Sequence, residues 1–292
     1  MIEELINDPL LPHLLDIVSD PASEGLILAG GFGMRLKQQD IIRKGSRTLI
    51  PMVPPARATQ DLDFFLRIEF FVHKERGRGI RELLHRLSYQ EYERKWKFSK
   101  SAGNSAQDEV KVDLLSRPPL EAEHVQVKAH RVGTGSDIGL HGYKTPEAFA
   151  VEDAPLLLRV PGLCSDGTSV EADVFVPNPY AWITMKVKAA HDWLRMERGE
   201  IKPRPFREKH VFDVYVLVAM LSETELADSS MLAARYFNHP MAAEVRHDTA
   251  VLYGTPDAPG FLEAQRQADD RLDHTLFWTG LQKVLGMDIQ GI

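Results

Sequence analysis

The chain has 292 residues, 43% hydrophobic and 26% charged, with a formal net charge of −7. At roughly 150 residues per domain this is one large domain or two ordinary ones with enough apolar material for real cores, so disorder is not the default. The single cysteine, Cys164, excludes an internal disulfide framework, and no apolar run approaches the ~20 residues of a transmembrane helix.

The opening MIEELINDPLLPHLL begins with acids instead of a basic segment and a long apolar core, so the reading is a cytoplasmic protein with no membrane partner. No Cys/His cluster, HExxH or GxxxxGK[ST] is present, which disfavours zinc-finger, zincin and P-loop chemistry. The net charge hides an uneven distribution. Residues 37–57 carry five basic side chains against Asp40, and residues 74–100 carry nine against four acids. Residues 221–292 carry five against eleven. The upstream stretches suit either a basic surface for a polyanion or ordinary solvated helix faces.

In chain order, a helix is expected over 9–18, then a strand in GLILAG (25–30) and a helix over 31–39. Further strands are expected over 59–68, 109–116, 124–132, 155–160 and 170–176, with a helix over 76–88. After Val176 the pattern becomes helical. Asn178 suits an N-cap and Pro179 the first helical position of a helix running to about Arg198. A second helix is expected over Phe206–Leu221. The fold expected is therefore α+β, with an α/β domain over 1–177 and a mainly helical domain over 178–292.

Leu26-Ile-Leu28-Ala-Gly30-Gly31-Phe32-Gly33-Met34-Arg35-Leu36 reads as strand, glycine turn and helix. A turn of this kind lets backbone N–H groups approach a phosphate closely, although it equally suits a plain strand-to-helix connection.

The most informative stretch is Arg57-Ala-Thr59-Gln-Asp61-Leu-Asp63-Phe64-Phe65-Leu66. Alternation in a strand puts Asp61, Asp63 and Phe65 on one face and Leu62, Phe64 and Leu66 on the other. The two carboxylates then stand roughly 6.6 Å apart along the strand, so their oxygens can converge on one or two hard cations of the kind that bridge phosphates. A calcium loop is excluded by Phe65 and Leu66, where a further acid and a glycine are needed. A strand end with two solvated carboxylates is the plain alternative.

Glu109-Val-Lys111-Val-Asp113-Leu-Leu115 alternates in the same way. If its strand lies beside the first, Asp113 completes a carboxylate triad; otherwise it faces water on an edge. In the helical half, Lys186 and Lys188 are ~200° apart on a helix, so only one faces a given site. Asp213 sits in the apolar segment His210-Val-Phe212-Asp213-Val-Tyr215. A Lys–Asp contact between these helices is the economical structural explanation; in the functional version the lysine reaches nucleotide phosphates and the aspartate orients it.

With these residues the sequence resembles the nucleotidyltransferases of the AbiEii/AbiGii toxin family, of the DNA polymerase β-like superfamily that includes the MenT-type toxins. The segments carrying the resemblance are Gly30-Gly31…Arg35-Leu36, Arg57…Thr59…Asp61-Leu62-Asp63-Phe64, Asp113, Lys186-Val187-Lys188-Ala189 and Lys209-His210…Asp213-Val214-Tyr215. They span about residues 24–220. The sequence departs from the family pattern at Phe32, where a small hydroxyl residue is usual, in the longer span from Gly31 to Asp61, and at His210, where an aspartate is common.

The resemblance implies a polymerase β-like mixed sheet with flanking helices, and transfer of a nucleoside monophosphate from an NTP to an acceptor hydroxyl. It implies catalytic roles for Asp61, Asp63, Asp113, Lys186 and Asp213, with Mg²⁺ or Mn²⁺ held by the first three. Gly30, Gly31, Arg35, Thr59 and Lys186 would contact the nucleotide. The implied acceptor is RNA, with tRNA by analogy with MenT-type toxins, and the implied setting is a toxin–antitoxin or phage-defence system with a cognate antitoxin. Tyr89, Tyr92, Trp96 and Phe98, set among the basic residues of 74–100, are candidates for stacking a base or for strand core. An antibiotic-type small-molecule nucleotidyltransferase and a catalytically inert nucleotide-binding regulator remain the alternatives.

Overall fold

The structure, a computed structural model, describes residues 8–93, 95–101, 109–133, 139–203, 207–268 and 272–287. The chain divides into two compact units, one holding the residues up to Lys44 and Arg57–Pro177, the other Gly45–Ala56 and the chain from Asn178 onward. The stretch 45–56 therefore leaves the continuous span 1–177 and joins the helical unit, where Leu49 N–H donates to the Leu221 carbonyl at 2.7 Å.

The first unit is α+β. It contains α1 (Leu10–Val18), β1 (Ile27–Leu28), α2 (Gly30–Lys44), β2 (Asp61–Phe65), α3 (Glu69–Val72), α4 (Lys74–Arg86), β3 (Gln90–Glu93) and β4 (Lys97–Ser101). It continues with β5 (Glu109–Ser116), β6 (Gln126–Lys128), β7 (Arg131–Gly133), β8 (His141–Lys144), β9 (Leu156–Leu163) and β10 (Ser169–Val176).

The strands form one mixed sheet in the order β6-β7-β8-β5-β2-β1-β10-β9, with β4 joining the β8 side of β5 and β3 pairing β4. The β1–β10, β2–β5 and β5–β8 pairs are parallel and the others antiparallel. Alternation decides which side of each strand is buried: Leu62, Phe64, Val110, Val112 and Leu114 are in the core, while Asp61, Asp63, Lys111 and Asp113 are half-buried on the other face. Phe65 shares the face of Asp63 yet is 1% exposed, so that face is covered at the end of β2.

Two expected elements are corrected. Residues 124–132 are not one strand: the chain reverses at Ala129, which has φ +52°, and Lys128 faces Arg131 across a hairpin. The helix expected over 31–39 extends to Lys44. Asp40 accepts from Arg43 and Lys44 at 2.7 and 2.6 Å, the basic residues suit a helix C-terminus, and Gly45 at φ +61° ends it.

The second unit is helical among its described residues: α5 (Pro179–Glu197), α6 (Lys209–Ala219), α7 (Glu223–Arg235), α8 (Pro240–Tyr253), α9 (Pro259–Ala268) and α10 (His274–Leu285). Asn178 caps α5 by accepting from Ala181 N–H at 2.8 Å. The Phe206 start expected for the second helix lies outside the described residues. Trp182, Val187, Val211, Val214, Leu217, Phe277 and Leu281 are buried in this unit. Among the described residues no helix is long and apolar enough to cross a membrane.

Candidate active site

Strand pairing brings the first group of candidates together. In the parallel β2–β5 ladder Asp63 stands opposite Asp113, and Asp61 opposite Lys111. Neighbouring strands lie about 4.8 Å apart, so two carboxylates face each other across the ladder and a third follows two residues away on the same face. Lys97, in register with Asp113 on β4, places its Nζ 3.7 Å from Asp113 Oδ2. Asp113 Oδ1 is shut off from solvent.

The glycine turn closes on this pair. Ala29 N–H donates to the Asp63 carbonyl at 2.7 Å, and Gly30 follows at φ +64°, a conformation that costs an L-residue about 1–2 kcal/mol. A Cβ on Gly30 would stand 2.0 Å from Asp63 Oδ2, and one on Gly31 would stand 3.1 Å from the Thr59 side chain. Thr59 Oγ1 in turn accepts from Asp61 N–H at 3.4 Å. Gly30, Gly31, Thr59, Asp61, Asp63 and Asp113 thus form one constellation at the start of α2. At that end the backbone N–H groups of a helix have no partners of their own and attract anions.

Arg35 is engaged by another side chain. One turn along α2, its guanidinium is paired with Asp8, which is nearly buried. This interaction already offsets its charge.

The carboxylates suit a hard divalent cation in donor type, and the strand register sets them on one face. Among the described residues no three His, Cys, Asp or Glu side chains are gathered into a formed metal cage. The Lys97 ammonium beside Asp113 supplies the counter-charge in this arrangement.

Lys186 and Asp213 belong to the second unit. Lys186 Nζ donates to Asp213 Oδ2 at 2.6 Å between α5 and α6, with the side chains 9% and 1% exposed. His210 Nδ1 lies 3.5 Å from both groups. Burial first, then the Lys186 ammonium, pushes the His210 imidazole down to about 4, so it is neutral at pH 7. Lys188 points elsewhere, as helical geometry requires, and pairs with Asp248 at 2.8 Å and Glu244 at 3.2 Å.

Of the two readings of the aromatic residues, core holds for three of the four. Tyr89, Trp96 and Phe98 are 1%, 4% and 0% exposed. Their rings form core around β3 and β4, and only Tyr92 of the four is exposed. Sequence reasoning missed Lys97 as a neighbour of Asp113, because that pairing comes from a β4–β5 register that no local pattern specifies. A cleft of about 1160 Å³ in the same unit, bordered by Arg67, Arg117, His124, Gln126 and Lys128, includes none of the three aspartates.

Comparisons of the chain with protein-family models, with curated proteins and with solved structures find no match.

Proposed function

We propose that the first unit is a polymerase β-like nucleotidyltransferase domain and that the protein transfers a nucleoside monophosphate from an NTP to an acceptor hydroxyl. The observation that carries this reading is the register of Asp63 with Asp113 beneath a glycine turn that touches the Asp63 carboxylate. A site that handles phosphate needs backbone donors for its oxygens and carboxylates for the cation that accompanies them. Both occur here within one strand–turn–helix unit.

Asp61, Asp63 and Asp113 would hold Mg²⁺ or Mn²⁺, which supplies charge neutralisation at the triphosphate and a lower pKa at the attacking hydroxyl. The Gly30–Gly31 backbone binds phosphate oxygens, and the lack of side chains there allows the close approach. Thr59 steadies the entry to β2 through its bond to Asp61 N–H. Asp63 is oriented by the turn packed against it. The toxin and phage-defence setting rests on the sequence resemblance.

The direct test is incubation with each α-labelled NTP, Mg²⁺ or Mn²⁺, and total RNA. Label on an RNA band supports the reading, and label on nothing with any NTP removes it. Gly30→Ala probes the contact between turn and carboxylate. A Cβ in the space of Asp63 Oδ2 must displace that carboxylate, and a displacement near 1 Å lowers transfer by about 10²-fold. Activity equal to wild type would show that the contact has no bearing on the chemistry.

A further inference from the structure

Residues in register on neighbouring strands share a sheet face, so the side chains beside the aspartates can be followed across the sheet. Two residues beyond Asp63 and Asp113, Phe65 faces Leu115. Leu115 faces Tyr143, Tyr143 faces Arg131, and Arg131 faces Lys128. This row lies on the carboxylate face and ends three strand spacings from β5, about 14 Å away.

The far end of the row is cationic. Lys128 and Arg131 stand directly opposite each other, a like-charge pair that costs stability unless an anion lies over it. Neither they nor Lys95 pair with a carboxylate among the described residues. Arg81 and Lys95 each bring a nitrogen to 3.3 Å from where a Cβ on Gly139 would stand. His141, on the same face as Arg131, is held down to about 4 by burial and then by Arg131, Lys95 and Lys128, so its ring stays neutral beside them. Lys128 also borders the cleft at the sheet edge.

Between these cations and the aspartates stands one exposed ring, while Phe65 is covered. Tyr143 is 39% exposed. Its ring packs on the buried Trp96 at 5.8 Å and stacks with His130 at 6.1 Å and 22°.

We propose that this face is the acceptor track: a single strand of nucleic acid crosses β8, β7 and β6, with its phosphates on Lys128 and Arg131 and one base on Tyr143. The assignment rests on the nucleotidyltransferase reading for the word acceptor, while the binding surface stands on the row itself. Phosphates spaced along a chain match the cations, and an unstacked base matches the ring. A duplex offers no free base face, and an acidic peptide has no use for the ring.

The test is fluorescence anisotropy of a labelled oligoribonucleotide of about 12 nucleotides with the full chain and no NTP. The salt range is about 50–200 mM. The Lys128→Gln/Arg131→Gln double variant should bind at least about tenfold more weakly. Its dependence of log K on log salt should be shallower by about 1.4, at ~0.7 per phosphate contact on a single strand. Arg131→Lys should keep the slope. Tyr143→Ala should weaken binding at least about fivefold, and Tyr143→Phe should not. An unchanged slope and affinity in the double variant overturns the track, as does equal competition by a duplex or by polyglutamate. Asp63→Asn should bind the oligonucleotide like wild type while transferring no label. Strand binding through these residues with no transfer from any NTP would remove the nucleotidyltransferase reading and leave the binding surface standing.

Discussion

Asp63→Asn is expected to lower metal-dependent transfer from an α-labelled NTP by at least about 10³-fold, close to 4 kcal/mol in the barrier. Asparagine keeps the shape of the side chain and removes the charge. The Asp63 main chain, which accepts from Ala29 N–H and pairs across to β5, is unaffected, so circular dichroism and the unfolding midpoint should be those of wild type. The size of the effect follows from position: Asp63 faces Asp113 and touches the turn at Gly30, so in the proposed function it would border both the cation and the phosphates. Asp173, a 58% exposed carboxylate on β10 paired with Arg159 at 3.7 Å, is the control, and Asp173→Asn should transfer normally. Full activity in Asp63→Asn would end the nucleotidyltransferase assignment.

The largest stability change is expected from Asp213→Leu. It leaves the Lys186 ammonium, 9% exposed, without its carboxylate and beside the neutral His210 imidazole. Breaking a buried pair by removing one partner costs about 3–5 kcal/mol, whereas replacing both by apolar groups is often neutral. Thermal unfolding followed by tryptophan fluorescence should show a midpoint lower by roughly 10 °C, and Lys186→Met/Asp213→Leu should recover most of it. Three of the four tryptophans, Trp182, Trp193 and Trp278, lie in this unit, so most of the signal reports on it. A single variant as stable as wild type would mean that the pair contributes nothing.

The same cluster carries a pH dependence. His210 is held near 4 in the folded state, against 6.5 for the free side chain. The unfolded chain therefore binds the extra proton first. Stability is complete above about pH 6.5 and falls as pH drops toward 4, by roughly 3 kcal/mol at most for this one group. Urea unfolding at pH 7 and pH 5 in wild type and His210→Gln checks it: the loss on acidification should be smaller in the variant.

Much of the local structure was legible because it depends on neighbours in the chain. The alternation in Asp61–Phe65 and Glu109–Ser116 marked strands and assigned their faces, and Asn178-Pro179 marked a helix start. The Lys–Asp contact suggested by a carboxylate in an apolar helix exists as Lys186–Asp213. Less was legible where pattern and burial part company. Trp96 and Phe98 sit among charges in the sequence, which left core and base stacking both open; burial of their rings decides for core. The turn at Ala129 was missed because alanine rarely adopts φ above zero, so nothing in 124–132 announced a reversal.

The sequence by itself determined the residue types with chemistry to offer, three aspartates and a glycine turn, and the side of each strand that carries them. Only the tertiary structure decided that Asp63 stands opposite Asp113, that Gly30 touches Asp63, that Arg35 is engaged by Asp8, and that Lys128, Arg131 and Tyr143 share the aspartates' face. Side-chain alternation is a property of one strand and can be read within a few residues. Register joins strands distant in sequence, and it is settled by how whole strands and the helices packed on them bury their apolar sides together.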